Sequence, residues 1–260
     1  MTGCTRIESM VEAASSDSKL FLGEFMRLNA LSRHWDNLAK EDPMWAILSD
    51  PNKKGGKWDL GEFFDSGILE IVSVMEHVKH VQPSLRYKRA LDFGCGLGRL
   101  TQALATHFDE VIGVDIAPEM IKGAERYNSL GDRCKYILNS RPDLSLFDDN
   151  HFDFIYSNLV LQHMHPRYSA VYLHDFIRVL APGGVALFQI PSRMIVTIKG
   201  LLMRIAPRSV LRMRYKMDMF CVPKDQVMAI VTSAGARVRL VQPDNSSGAL
   251  WESYRYTAVK

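Results

Sequence analysis

The chain has little that would tie it to a membrane, a nucleic acid or an oxidising compartment. No apolar run approaches the roughly 20 residues that span a bilayer. The nearest, around Met194 to Ala206, is broken by Lys199 and Arg204. The first residues lack the basic-then-apolar pattern of a secretory leader. There are only four cysteines, Cys4, Cys95, Cys134 and Cys221, far apart and without a CxxC pair. Free thiols in a reducing compartment are the expectation. A net charge of +3 is too small an excess to argue for nucleic-acid binding. Internal repeats and low-complexity tracts are also missing. These absences leave a cytoplasmic globular protein as the expectation, and 260 residues suffice for one sizeable core.

What is present changes character along the chain. Residues 1–18 end in Ala-Ala-Ser-Ser-Asp-Ser, small and polar, and are expected to fray. From Lys19 to about Gln82 the pattern is helical, interrupted by the turn formers of Ser49 to Gly56. Asp59 or Leu60 starts a helix with Phe63, Phe64, Ile68, Ile71, Val72 and Met75 on one broad face. Residues 1–85 are thus predicted to form a helical N-terminal extension without strands. After Pro83, short apolar runs alternate with amphipathic helices, the pattern of a parallel sheet with crossovers. Strands are predicted at 90–93, 111–114, 136–138, 152–156 and 185–190, with Pro182-Gly183-Gly184 stopping the helix before the fifth. Residues 194–222 interrupt the alternation. A helix over 225–234 and strands at 238–241 and 254–259 follow. The link Pro243 to Gly248 leaves no room for a crossover helix, so those last two strands must be antiparallel.

The chemistry is concentrated after the first strand. Asp92-Phe93-Gly94-Cys95-Gly96-Leu97-Gly98 is a glycine loop between strand and helix, where an open α/β sheet binds ligands. Asp115 closes the second strand about 20 residues later, placed to accept hydrogen bonds from both hydroxyls of an adenosine ribose. The spacing is GxGxG, with Arg99 where the dinucleotide fingerprint has its third glycine. That favours a phosphate-free adenosyl ligand, S-adenosylmethionine (SAM), over NAD. The Asp92 carboxylate is a candidate for the ammonium end of the ligand, directly or through water.

With these motifs in hand, the chain resembles the class I SAM-dependent methyltransferases, in particular the small-molecule branch that includes the ubiquinone and menaquinone C-methyltransferase-like enzymes. The likeness is carried by LDFGCGLGRLT (91–101), VIGVDIAPEMI (111–121), LFDDNHFDFIYSNLVLQHM (146–164) and RVLAPGGVALFQIPS (178–192), and covers about 86–193 and 224–260. It implies a Rossmann-like, doubly wound α/β fold with strand order 3-2-1-4-5-7-6 and strand 7 antiparallel. The core would span 86–260, interrupted by a helical cap insertion at 194–222. It further implies that Gly94, Cys95 and Gly96 lie against the methionine part of SAM, Asp115 holds the ribose, and Ile116 and Met120 flank the adenine. Asn158 would face the methionine amine. Arg141 stands where an Asp is common in relatives, so at that stretch the backbone is expected to meet the adenine. In such relatives the N-terminal segment closes over the cofactor. Trp45, Lys57, Trp58 and Phe64 are its candidate lid groups here; alternatively the tryptophans only pack the extension.

Methyl transfer needs positioning above all, and a base only when the nucleophile arrives protonated. His163, just past the fourth strand, is the candidate base; its alternative is to cap a helix or line the pocket without chemistry. His165 is expected at the surface. Spacing among His151, His163, His165 and His174 makes a poor metal site, and none is predicted. The insertion carries Lys199, Arg204, Arg208, Arg212, Arg214 and Lys216 among apolar residues. Three readings stand: cations gripping an anionic, sugar- or lipid-linked acceptor, a peripheral contact with an anionic membrane surface, or a cap with a solvated basic face. No nucleic-acid partner is expected, since stacking aromatics are missing there. The function expected is methyl transfer from SAM, yielding S-adenosylhomocysteine (SAH), to a small or lipid-linked acceptor, at oxygen rather than nitrogen or carbon. The rivals are an inert SAM-binding subunit and an NAD-dependent oxidoreductase.

Overall fold

In the computed structural model of the chain, residues 28–195 and 217–260 are described. The fraying expected at 1–18, Cys4, and the basic residues between 199 and 216 lie outside them. Helix α1 (28–41) leads through a single residue, Asp42, into α2 (Pro43–Ile47), capped by the Asp42 carboxylate. The other oxygen of Asp42 accepts from the N–H groups of Gly55 and Gly56, at 2.7 and 3.0 Å, and so ties the turn-rich loop to α2. Helix α3 (Leu60–Val81) starts where the sequence predicts. Asp59 is its N-cap, accepting from Glu62 N–H.

The buried stripe of α3 is Phe63, Gly67, Ile71, Val74, Met75 and Val78. Two residues assigned to the apolar face, Ile68 and Val72, remain 47% and 44% exposed. Gly67 is the reason. A Cβ there would lie 2.6 Å from the Arg99 carbonyl, so the bare glycine lets the helix press in along its own line. That rotates the stripe away from Ile68.

The sheet comprises β1 (Arg89–Phe93), β2 (Glu110–Asp115), β3 (Cys134–Leu138), β4 (Phe152–Ser157), β5 (Leu180–Met194), β6 (Arg237–Asp244) and β7 (Trp251–Val259). Their order is β3-β2-β1-β4-β5-β7-β6. The first five are parallel, and β7 runs antiparallel between β5 and β6. The expected doubly wound topology is therefore present. Between strands lie α4 (Arg99–Leu104), α5 (Pro118–Tyr127), α6 (Pro166–Val179) and α7 (Lys224–Ser233). Alternate residues of the strands feed two layers. Leu91, Phe93, Ile112, Val114, Ile155 and Phe188 face the α6 and α7 side. Ala90, Val111, Phe154, Tyr156 and Leu187 face α4 and the second half of α3. A smaller third cluster, with Leu38, Ala46, Phe63, Leu97 and Met120, joins the N-terminal helices to the glycine loop.

Several strand ends lie outside the sequence reading, chiefly in the last three strands: β5 runs on to Met194, β6 to Asp244, and β7 starts already at Trp251. Leu180 leaves the helical pattern to pair with Phe152, so β5 begins before Pro182. Pro243 and Asp244, read as loop, pair with Tyr254 and Ser253. Proline is tolerated because β6 is an edge strand. Among the described residues, no helix is long and apolar enough to cross a membrane.

Candidate active site

A cavity of about 1060 Å³ opens at the carboxyl ends of β1, β2 and β4, roofed by α1, α2 and the loop after α2. Its floor is the glycine loop. Gly94 has φ +80°, and a Cβ there would sit 2.3 Å from Val160. Gly96 has φ +53°, with Ile47 at 2.5 Å from a Cβ. Only glycine fits both the backbone and the space. Gly94 N–H and Cys95 N–H both donate to the Val114 carbonyl, fastening the loop to β2.

Asp115 stands at the end of β2 and lines the cavity. One carboxylate oxygen accepts from Gly96 N–H and the other from Ala117 N–H, both at 2.9 Å. Burial raises its pKa, and these N–H donors pull it back. A carboxylate has about four acceptor positions, so two backbone bonds leave room for a diol. Ile116 and Met120 flank it on the same wall. Asn139, the first residue past β3, lines the cavity too, with its amide fixed by bonds to the Arg141 N–H and the Asp143 carbonyl. The sequence reading named Arg141 there. Its side chain is exposed and reaches Ser145 instead, while its carbonyl accepts from the Tyr172 hydroxyl at 2.6 Å.

Asp92 and Cys95 are not brought to the cavity wall. Asp92 is 1% exposed and accepts from the Thr101 hydroxyl at 2.6 Å. Burial pushes its pKa up to about 7. The Cys95 thiol is turned under the loop against Gly113, and burial raises its pKa well above the usual thiol value. Cys95, Cys134 and Cys221 are free thiols.

Asn158 follows β4 and lines the cavity. Leu159, next in the chain, has φ +62°, an unusual value for a branched residue, and its N–H is held by the Gln189 side chain. The turn sets Asn158, Leu159 and Val160 along the same wall. Asn158 Nδ2 donates to Glu70 Oε1 at 2.8 Å, and its Oδ1 is buried without a partner.

Past Asn158 the wall turns polar at one corner. Half-buried His163 has its Nδ1 2.8 Å from the Asp218 carbonyl and its Nε2 3.0 Å from Gln162 Nε2. A carbonyl only accepts and an amide nitrogen only donates, so the proton is on Nδ1 and the lone pair on Nε2. Burial lowers the pKa of His163 to about 4. Gln162 Oε1 accepts from the hydroxyl of Ser247, in the β6–β7 loop. Around this corner the walls are apolar: Leu31, Trp35, Met164, Met217, Phe220 and Leu250.

Of the predicted lid groups, Trp45 and Trp58 line the cavity, donating their indole N–H to the Asp50 and Leu48 carbonyls. Phe64 packs between Phe63 and Tyr127 instead. Lys57 is exposed and absent from the wall; the lysine there is Lys54, with its ammonium 4.5 Å from the Trp45 ring centroid. Trp35, Glu70, Asn139, Gln162 and Ser247 were not anticipated. Asn139 had a legible signal, its place one residue past β3 beside Asp115. Gln162 had one as well, its place beside His163 in the same short turn. Trp35 and Ser247 at the wall, and Glu70 behind Asn158, come from distant elements and had none.

Chain comparisons agree with this geometry. The family described as "Methyltransferase domain" matches residues 90–184. A ubiquinone biosynthesis O-methyltransferase of Psychrobacter arcticus is 31% identical over 189 residues, 72% of this chain and 68% of that protein. The chloroplastic tocopherol O-methyltransferase of Arabidopsis thaliana is 31% identical over 192 residues, covering 68% of this chain and 51% of its own length. Among solved structures, magnesium protoporphyrin IX methyltransferase from Synechocystis, with bound SAH, superposes with a TM-score of 0.63 at 14% identity, over 90% of this chain and 99% of that one. The chain belongs to the class I SAM-dependent methyltransferases. Its cofactor is SAM, and its reaction is methyl transfer.

The residues present fit that cofactor. Asp115 keeps acceptor capacity for a ribose, and the orphaned Asn158 Oδ1 needs a donor, which an ammonium is and a phosphate is not. Arg99, at the third-glycine position of the dinucleotide pattern, is 4% exposed and ion-paired with Glu70 at 2.8 Å, so no cation is presented to a pyrophosphate there.

Proposed function

We propose that the methyl group is delivered to an oxygen of a small, largely apolar acceptor, with His163 as the base. The supporting observation is the isolated polar corner of His163, Gln162 and Ser247 within apolar walls, which suits one hydroxyl on an otherwise apolar molecule. Two of the relatives above carry O-methyltransferase in their names, one with ubiquinone biosynthesis and one with tocopherol.

Asp115 binds the ribose, Ile116 and Met120 border the adenine, Trp58 shields the cofactor from above, and Asn158 meets the ammonium. The backbone of Gly94, Cys95 and Gly96 supports the methionine end. Bound SAM supplies an electrophilic methyl on a sulfonium whose charge disappears on transfer. Trp35 and the neighbouring methionines exclude water and hold the acceptor. The acceptor hydroxyl takes the place of the Gln162 amide at His163 Nε2, and the imidazole removes its proton as the bond to the methyl forms. A pKa near 4 is high enough, because an oxygen that has gained a methyl while keeping its proton is far more acidic than an imidazolium. An anionic or sugar-linked acceptor, or a membrane contact, would engage the basic residues of 194–222, all of which are outside the described residues.

The test uses carbon-13-labelled SAM with a panel of phenols, hydroquinones and carboxylic acids. The expected product carries its label as an O-methyl group by NMR. Labelling at carbon or nitrogen would overturn the oxygen assignment. His163→Gln is expected to lower kcat by about 10²–10⁴-fold, and in the parent the acid limb of the pH–rate profile is expected near pH 4 rather than 6.5. A variant with full turnover removes the base.

A further inference from the structure

Beneath Asn158 lies a closed set of hydrogen bonds that ties it to the N-terminal helix. Glu70, on α3, accepts from Arg99 Nη2 through Oε2 at 2.8 Å. Its Oε1 accepts from the Tyr156 hydroxyl at 2.7 Å and from Asn158 Nδ2 at 2.8 Å. Arg99 also donates to Ser66, on the same helix. The pair is shielded: Arg99 is 4% and Glu70 20% exposed. Gly67 makes the arrangement possible, since any side chain there would strike Arg99 and hold α3 away.

A carboxylate cannot donate, so it dictates which end of the Asn158 amide it receives. Nδ2 must turn toward Glu70, and Oδ1, on a residue that lines the cavity, is left buried and unpartnered. An orphaned acceptor is costly unless a ligand supplies a donor. We propose that Glu70 is a positioning residue for the cofactor: it locks the Asn158 amide with its oxygen toward the cavity, making an acceptor for the ammonium of SAM and coupling α3 to cofactor binding. The inference rests on the placement of SAM above.

Substituting Glu70→Gln keeps size and shape but reverses the instruction. Arg99 only donates, so the glutamine oxygen stays with it and the glutamine NH₂ faces Asn158. The Asn158 amide then turns over and presents donors to the ammonium. Calorimetry with two probes reads this. SAH carries the ammonium; 5′-methylthioadenosine keeps the nucleoside and sulfur but lacks the amino-acid end. In Glu70→Gln the Kd for SAH is expected to rise about 10–100-fold, the worth of a hydrogen bond to a charged group, while that for methylthioadenosine stays within about twofold. In an Asn158→Ala background, Glu70→Gln is expected to add nothing further, because the residue acts through Asn158. Equal weakening of both probes would mean that Glu70 only supports the fold, and additive effects would mean that it does not act through Asn158; either overturns the proposal. If Asn158→Ala leaves SAH binding unchanged while Asp115→Ala abolishes it, the ammonium assignment falls and the ribose assignment survives. A parent protein that binds neither probe would overturn the cofactor placement and this inference together.

Discussion

At the scale of single residues, two aspartates near the glycine loop have opposite situations. Asp115 is held by two backbone N–H groups and keeps free acceptor positions facing the cavity. Asp115→Ala removes those charge-assisted bonds and is expected to raise the Kd for SAH at least tenfold. Asp115→Asn, which keeps one acceptor oxygen, should fall between, both read by calorimetry. Asp92 is sealed beneath the loop, with a pKa raised to about 7. Between about pH 4 and 7 the folded chain holds a proton that the unfolded chain releases, so this group's contribution to stability is lost as pH rises through that window. Asp92→Asn has no such proton to lose. Relative to the parent, its melting temperature is expected to improve from pH 5 to pH 8, with SAH affinity within about threefold. A stability gap independent of pH would show that the carboxyl titrates as an ordinary one, and a large loss of SAH affinity would place Asp92 in binding after all.

At the scale of elements, the N-terminal helices act by latching onto the core. Helix α5 begins at Pro118 with Ala117 as its N-cap, which offers no side-chain oxygen. The missing acceptor comes from α1: Asp36 accepts from Glu119 N–H at 2.9 Å. One turn earlier, Ser32 donates to the Ile116 carbonyl. Burial pushes the pKa of Asp36 up, but bonds from Lys40 and Glu119 N–H outweigh it and leave the carboxyl below its usual value. An acid at a helix N-terminus also meets the positive end of the helix dipole. Asp36→Ala is expected to cost about 1 kcal/mol in urea denaturation. It should also loosen α1 over Ile116 and Met120, read as faster hydrogen exchange in 28–41. Unchanged exchange would mean that hydrophobic packing alone holds the latch. The same cross-element logic explains the misread elements. Leu180 belongs to the helical period of α6 yet is taken by β4, and Ile68 belongs to the period of α3 yet faces out, since the closest approach is set by Gly67. Periodicity reports which residues can share a face; the partner decides which face is buried.

At the scale of the whole molecule, the cavity lies between the sheet and the N-terminal cap, so a ligand bound there bridges the two. SAH at 100 times its Kd is expected to add about 2.7 kcal/mol to the unfolding free energy. For a chain of this size that is a rise in melting temperature of roughly 5–10 °C, measurable by calorimetric scanning. NAD at the same concentration is expected to leave it unchanged, and an equal shift by NAD would undo the cofactor discrimination drawn from Arg99.

Local sequence was sufficient wherever a feature depends on neighbours in the chain. The strand–glycine-loop–helix unit, Asp115 at the end of β2, Asp59 capping α3 and the antiparallel final hairpin follow from backbone dihedrals, capping chemistry and loop length. These act over a few residues. The tertiary structure alone decided that Asp92 and Cys95 turn away from the cavity, that Lys54 rather than Lys57 meets it, that Ser247 reaches it at all, and that Glu70 reaches Asn158 behind its wall. Those outcomes depend on which side chains from remote elements compete for the same buried space and the same hydrogen-bond partners. Residues such as Glu70 and Asn158, 88 positions apart, meet only once the sheet and its covering helices have packed.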